Sequence, residues 1–248
     1  MELSLNGCRV AVDEKAKVVG TVTTVRYQDH FSWIGMVLVD PNRQREGIGL
    51  QLLKVALELL GDVTTARLDA TPKGREVYMK LGFVDEYDLT RMEWNPISHD
   101  KLPVSDVRPM IASDLAELFN LDDDVFGANR QFLLKPIFHD AQQFAFVLED
   151  TNAIKGYCMG RTGYHFTHIG PVVAPNLDGA VKLVSAAIRN AKKNPVILDV
   201  PKDATAWNNW LSSVGFNKQR SLTRMFRGTN AHRGKPEKQF AILGPEFG

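Results

Sequence analysis

The stretch VLVDPNRQREGIGLQLLKVALELL, Val37 to Leu60, is apolar to Val39, turns charged at Asp40, passes Gly47 and Gly49 and becomes amphipathic. Leu52, Leu53, Ala56, Leu59 and Leu60 fall on one helical face, and Gly61 ends the pattern. The reading is a strand ending at Val39, a turn, and a helix from Gly49 to Leu60. At a helix N-terminus the first N–H groups have no partner within the helix and the positive end of the dipole points outward. That suits a phosphate. Glycines let the backbone itself approach an anion, and Arg43 and Arg45 add charge. The plainer alternative is a strand-to-helix loop with solvated charges. The spacing fits neither the three-glycine dinucleotide fingerprint nor the nucleotide P-loop.

Working outward, the chain repeats itself. GFVDEYDLTRM (Gly82 to Met92) and GFNKQRSLTRM (Gly215 to Met225) share GF and LTRM at one separation, and each follows a Leu-Asp pair, Leu68-Asp69 and Leu198-Asp199. FSWIGMVLVDP (Phe31 to Pro41) parallels FTHIGPVVAP (Phe166 to Pro175), and KVVGTVTTVRY parallels AIKGYCMGRTGY. Landmarks recurring in order indicate two copies of one fold. The boundary falls in NPISHDKLPVSD, Asn95 to Asp106, giving domains at 1–96 and 104–228 and a tail at 229–248. In the first copy, strands at Cys8 to Val12, Val18 to Arg26 and Phe31 to Val39 precede a helix, a strand, a second helix and a final strand pair: a mixed α/β (α+β) layer architecture. VRPMIASDLAELFNL opens the second copy with a strand and a helix capped at Ser113. The first copy has no counterpart to that opening.

Thirty basic and 29 acidic residues among 248 leave a net charge of +1, so bulk charge directs the chain neither to nucleic acid nor to an anionic membrane. Cys8 and Cys158 stand far apart, which fits reduced thiols in the cytoplasm. There is no leader pattern and no apolar run long enough to span a bilayer, so a cytoplasmic protein is expected.

Gln44-Arg45-Glu46-Gly47-Ile48-Gly49 reads as Q/R-x-x-G-x-G/A between a strand and a helix, and VYMKLGF downstream reads as Y-x-x-x-G-F. This ordered pair resembles the acetyl-CoA motifs of the GNAT acetyltransferase superfamily. The whole chain resembles a tandem GNAT protein with a degenerate C-terminal domain. The resemblance implies two domains, each a mixed, mostly antiparallel sheet flanked by helices, the first lacking its initial strand and helices. It implies acetyl-CoA as cofactor and direct acetyl transfer to a primary amine of a small acceptor, with no metal. It implies that the backbone of Val37, Leu38 and Val39 faces the pantetheine arm and that Gln44, Arg45, Glu46, Gly47, Ile48, Gly49 and Leu50 cradle the pyrophosphate. Tyr78 takes the place of the proton donor; a thiol of pKa about 8.5 and a phenol of about 10 make that role chemically sound. The alternative for Tyr78 is a half-buried helical aromatic. Homodimerisation stays open.

Transfer to an amine needs a base or a water route to one, and an oxyanion donor such as an N–H near Val37 or Leu38. Asp69, Glu76, His30 and Glu86 are the candidate bases. The parallel between Asp69 and Asp199 favours a structural role for both, as turn or cap residues. The second copy has APNLDGAVKLVSAAI at the phosphate loop and Leu211 at the tyrosine position, so both chemical markers are missing. Its expected work is to pack on the first domain and supply part of the acceptor pocket; Trp207, Asn208, Asn209 and Trp210 would line that pocket or form core and surface. A non-catalytic acyl-CoA-binding or regulatory module is the alternative to an enzyme.

Three signals come to little. His165 and His168 face opposite sides of a strand and cannot chelate one ion. DDDVFG, Asp122 to Gly127, lacks calcium ligands at the later loop positions. The tail is either solvated or a strap docking Phe240, Ile242 and Phe247.

Overall fold

The computed structural model describes residues 7–61, 65–94, 102–103, 106–151, 153–191 and 194–248. Alternating β-branched residues make the first copy an antiparallel meander of β1 (Cys8–Val12), β2 (Val18–Tyr27) and β3 (Phe31–Val39). After a 3-10 turn at Pro41–Arg43 comes α1 (Ile48–Leu60), which buries Leu52, Leu53 and Ala56 and stops at Gly61. Then follow β4 (Thr65–Ala70), α2 (Pro72–Met79) and β5 (Val84–Trp94). Pro72 opens α2 where its missing N–H costs nothing, and the Thr71 hydroxyl accepts the Gly74 N–H at 3.2 Å.

The second copy opens with β6 (Arg108–Pro109), α3 (Leu115–Phe126) and α4 (Gln131–Asp140), whose counterparts are not found among the described residues of the first. Ser113, the expected cap of α3, is exposed; the Asp114 carboxylate instead accepts the Ile111 N–H at 2.8 Å and pairs with Arg108. Asp122 lies inside α3, where its buried carboxylate receives Arg130 at 2.9 Å and the Tyr157 hydroxyl. The repeated pattern then runs through β7 (Phe146–Asp150), β8 (Ala153–Thr162), β9 (Thr167–Val173), α5 (Leu177–Arg189), β10 (Val196–Pro201), α6 (Thr205–Ser213) and β11 (Asn217–Gly228), and the tail adds β12 (Gln239–Ala241).

Compact units differ from sequential copies. One unit comprises the residues to Glu86 with Thr223–His232 and Pro245–Gly248; the other comprises Tyr87–Leu222 and Arg233–Gly244. Each copy's last strand therefore begins in its own unit and ends in the other. In the first unit, Thr223–Gly228 of β11 pairs antiparallel with β4, and Met225 enters a core with Ile34, Leu53 and Leu68. In the second, Leu89–Trp94 of β5 pairs antiparallel with β10, and Met92 packs with Leu183, Leu198 and Trp207. These units cut the chain at other places than 96, 104 and 229. The expected linker lies, apart from Leu102, Pro103 and Asp106, outside the described residues.

The repeated Leu-Asp and LTRM landmarks explain the exchange. Asp69 faces Arg224 across the first unit's ladder, with hydrogen bonds of 2.9 and 3.0 Å, and Asp199 faces Arg91 across the second's, at 2.8 and 2.7 Å. Both aspartate side chains are fully buried. They are mid-strand ion-pair partners and not turn or cap residues, because a buried carboxylate needs a bidentate cation more than a chain reversal needs a cap. The tail is docked: Ala241, Ile242 and Leu243 are buried in the second unit, and in the first the Pro245 and Phe247 carbonyls accept hydrogen bonds from Trp33 Nε1 (2.9 Å) and Tyr27 Oη (2.7 Å).

Candidate functional site

The site grows from a place where two parallel strands part. Among the described residues, the ladder of β3 and β4 is only Ser32↔Ala66 and Trp33↔Arg67. Beyond it the β3 edge is free of β4, and a bulge re-aims it: pairing with β2 jumps from Gly35↔Thr23 to Leu38↔Thr21, with Met36 at φ 51. Open crevices at the carboxyl ends of parallel strands are where α/β sheets take ligands.

A cavity of about 350 Å³ occupies this crevice. Val37 and Val39 of β3 form one wall, and the turn and first residues of α1 form another: Gln44, Arg45, Gly47, Ile48, Gly49 and Leu50. Leu38 does not line it and is 53% exposed; Glu46 lies on a neighbouring depression, its carboxylate held by Arg43 Nε at 2.9 Å. α1 starts at Gly47, which takes the left-handed conformation at φ 81. No side chain caps it, so the N–H groups of Ile48, Gly49 and Leu50 point into the turn without a helical partner. A Cβ at Gly47 would meet nothing within 4 Å, and one at Gly49 only Val39 Cγ2 at 3.5 Å. An uncapped helix start under open space fits a diphosphate, with Arg43, Arg45 and Lys73 at the margin for charge.

The third wall is α2, with Thr71, Lys73, Gly74, Val77 and Tyr78. The Tyr78 ring lies back over the first turn of α2, where a Cβ on Gly74 would come within 3.1 Å of it. It also packs on Phe83, ring centroids 6.2 Å apart, which explains the Y-x-x-x-G-F spacing. Burial pushes its hydroxyl pKa up to about 12.

None of the four candidate bases lines the cavity. Asp69 is committed to Arg224, Glu86 accepts the Asn230 amide at 2.9 Å, His30 stacks on His232 at 3.8 Å, and Glu76 is exposed on α2.

Sequence profiles described as acetyltransferase (GNAT) domain match residues 118–241 and 6–85. The chain belongs to the GNAT acetyltransferase family. It carries two GNAT domains in tandem and is an acyltransferase. It is 28% identical, over 93% of its length and 78% of the relative's, to holothin acyltransferase of Pseudoalteromonas sp. (strain SANK 73390). A solved structure from Pyrococcus horikoshii, assigned to acetyltransferases, matches 100% of this chain and 82% of its own with a TM-score of 0.79 at 26% identity. A tandem GNAT protein from the clavulanic acid biosynthesis pathway shares the fold, with a TM-score of 0.58 at 16% identity over 90% of this chain and 83% of its own.

The GNAT motifs pointed to the strand, the turn and Tyr78 but not to Thr71, Lys73, Gly74 and Val77. A signal for them was present: Thr71-Pro72 marks a second strand-to-helix turn, and its helix ends in the motif tyrosine. In the second GNAT domain the start of α5 is occupied, since the Asn176 side chain accepts the Gly179 N–H at 3.0 Å. Trp207 is core, stacked on Trp210 at 5.0 Å, and the Asn208 amide is spent on the Pro201 and Lys202 carbonyls.

Proposed function

We propose that the first GNAT domain binds acetyl-CoA and transfers its acetyl group directly to a primary amine of a small acceptor, in the cytoplasm. The observation that carries this reading is the convergence of an uncapped helix start and a half-buried phenol on one cavity. Backbone N–H groups of Ile48, Gly49 and Leu50 bind the diphosphate, and Val37 and Val39 flank the pantetheine arm. The donor supplies a thioester: the amine nitrogen forms a bond to the acyl carbon, the carbon–sulfur bond breaks, and nitrogen gives up the proton that sulfur gains. Tyr78 meets the departing sulfur as a hydrogen-bond donor. With a phenol near 12 and a thiol near 8.5, outright proton transfer from Tyr78 would run uphill by about 5 kcal/mol, so the phenol stabilises sulfur's charge while solvent carries the proton. The relative named for acyl transfer to holothin supports transfer over mere binding, and two unpaired cysteines support a reducing compartment.

Calorimetric titration with acetyl-CoA, wild type beside Gly47→Glu, followed by thiol release over a panel of amines, tests this. Binding lost in the variant and thiol release with at least one amine are expected. Binding without release would leave a binding module, and no binding would overturn the cradle.

A further inference from the structure

The second unit has its own parting of strands, and it is filled. Among the described residues, β9 and β10 pair in parallel only at Thr167↔Val196 and His168↔Ile197. Past that point β12 takes the β9 edge, with Gln239 opposite Val173 and Ala241 opposite Val172. The next residue, Ile242, donates its N–H to the Asp199 carbonyl of β10 at 3.0 Å. One short extended segment thus bonds both lips of the gap. Gly170 makes room for it, since a Cβ there would collide with the Ile242 carbonyl.

The residues around the segment hold places equivalent to positions on β3 and α2 of the first domain, Val37 and Gly74 among them lining its cavity. Val172 and Val173 follow Gly170 as Val37 and Leu38 follow Gly35. Trp207 and Gly74 precede their Gly-Phe pairs by the same number of residues. Where the first domain has Gly74 with the Tyr78 ring lying over it, the second has the Trp207 indole, donating Nε1–H to the Phe240 carbonyl at 2.9 Å with the Phe240 ring edge-on at 5.5 Å. The phosphate end is closed as well, by the Asn176 cap.

Resting on the reading of β3 as the wall of a pantetheine arm, we propose that β12 with Ile242 and Leu243 is a built-in occupant of the second domain's pantetheine slot, and that this slot is a latent site for an extended diamide chain. Pantetheine is such a chain: two secondary amides on an aliphatic backbone, able to bond a strand edge as a peptide does. A covalently attached strand holds the slot at high effective concentration, and no free thioester displaces it. The second domain therefore takes no donor.

The test replaces Gln239 to Leu243 by Gly-Ser-Gly-Ser-Gly, keeping Gly244 onward, and separately makes Ile242→Pro, which removes the N–H given to the Asp199 carbonyl of β10. Each folded chain is titrated with S-acetylpantetheine and with acetyl-CoA. Wild type is expected to take one equivalent of acetyl-CoA. The variants are expected to take an additional equivalent of S-acetylpantetheine, displaced by the peptide KQFAILG. A wild type that binds no acetyl-CoA would refute the first-domain reading and not this one. Loss of fold in both variants would make β12 a core strand and overturn the proposal; so would a folded variant with no additional equivalent.

Discussion

In the proposed reaction Tyr78 carries the chemistry at the scale of a single residue, and its burial separates two roles that a tyrosine can play. A hydroxyl held near 12 is protonated throughout the working range. Tyr78→Phe is expected to lower kcat about 10- to 100-fold while leaving the dissociation constant for acetyl-CoA within about threefold, since only the leaving sulfur loses a partner. The wild-type rate should rise with pH as the acceptor amine deprotonates and show no fall assignable to Tyr78 until pH approaches 12. A stopped-assay pH profile of both proteins checks this. His168 makes a second prediction. Burial first, with Arg161 and Arg91 adding to it against Asp199, lowers its pKa to about 3 from the ordinary 6.5. Below 6.5 the unfolded chain binds a proton that the folded chain refuses, so stability is full above that pH and declines from 6.5 toward 3, by up to about 1.4 kcal/mol per pH unit. Thermal melts of His168→Gln should show a shallower acid slope than wild type over that window. At this scale the uncapped glycine turn was readable because its geometry is local. The fate of Asp69 was not, because Arg224 lies 155 positions away in the chain.

At the scale of elements, two helix starts separate the proposed anion site of the first domain from its counterpart in the second. α1 begins at a bare glycine and α5 at a capping asparagine. Both differences stand in the sequence, as do the strands of the first meander, because period-2 alternation and glycine stops report directly on the backbone. Ladder partners leave no such trace. The repeated LTRM looked like a domain's closing strand, yet each copy's arginine serves the other copy's aspartate. Arg91→Met or Asp199→Leu alone should cost about 3–5 kcal/mol by stranding a buried charge. The double variant should cost clearly less than the sum, which a denaturation cycle measures.

At the scale of the whole molecule, exchange of final strands ties the two copies into one folding problem. The first unit's core needs Met225 and its ladder needs Thr223–Gly228, both encoded in the second copy. Residues 1–96 expressed alone should therefore stay unfolded by circular dichroism, and co-expression with 97–248 should restore a folded complex. The tandem organisation was legible from ordered landmarks. The exchange and the docking of the tail were not, since both depend on edges left open by other strands and no local pattern names their occupant.

The central claim is that one donor site exists, in the first GNAT domain, and that the second is closed. Hydrogen exchange of the intact chain with and without acetyl-CoA tests it most directly. Protection is predicted over Val37 to Leu50 and Thr71 to Tyr78, with no change over Val172 to Ala180. Protection at Val172 to Ala180, or none at the first site, would contradict the account.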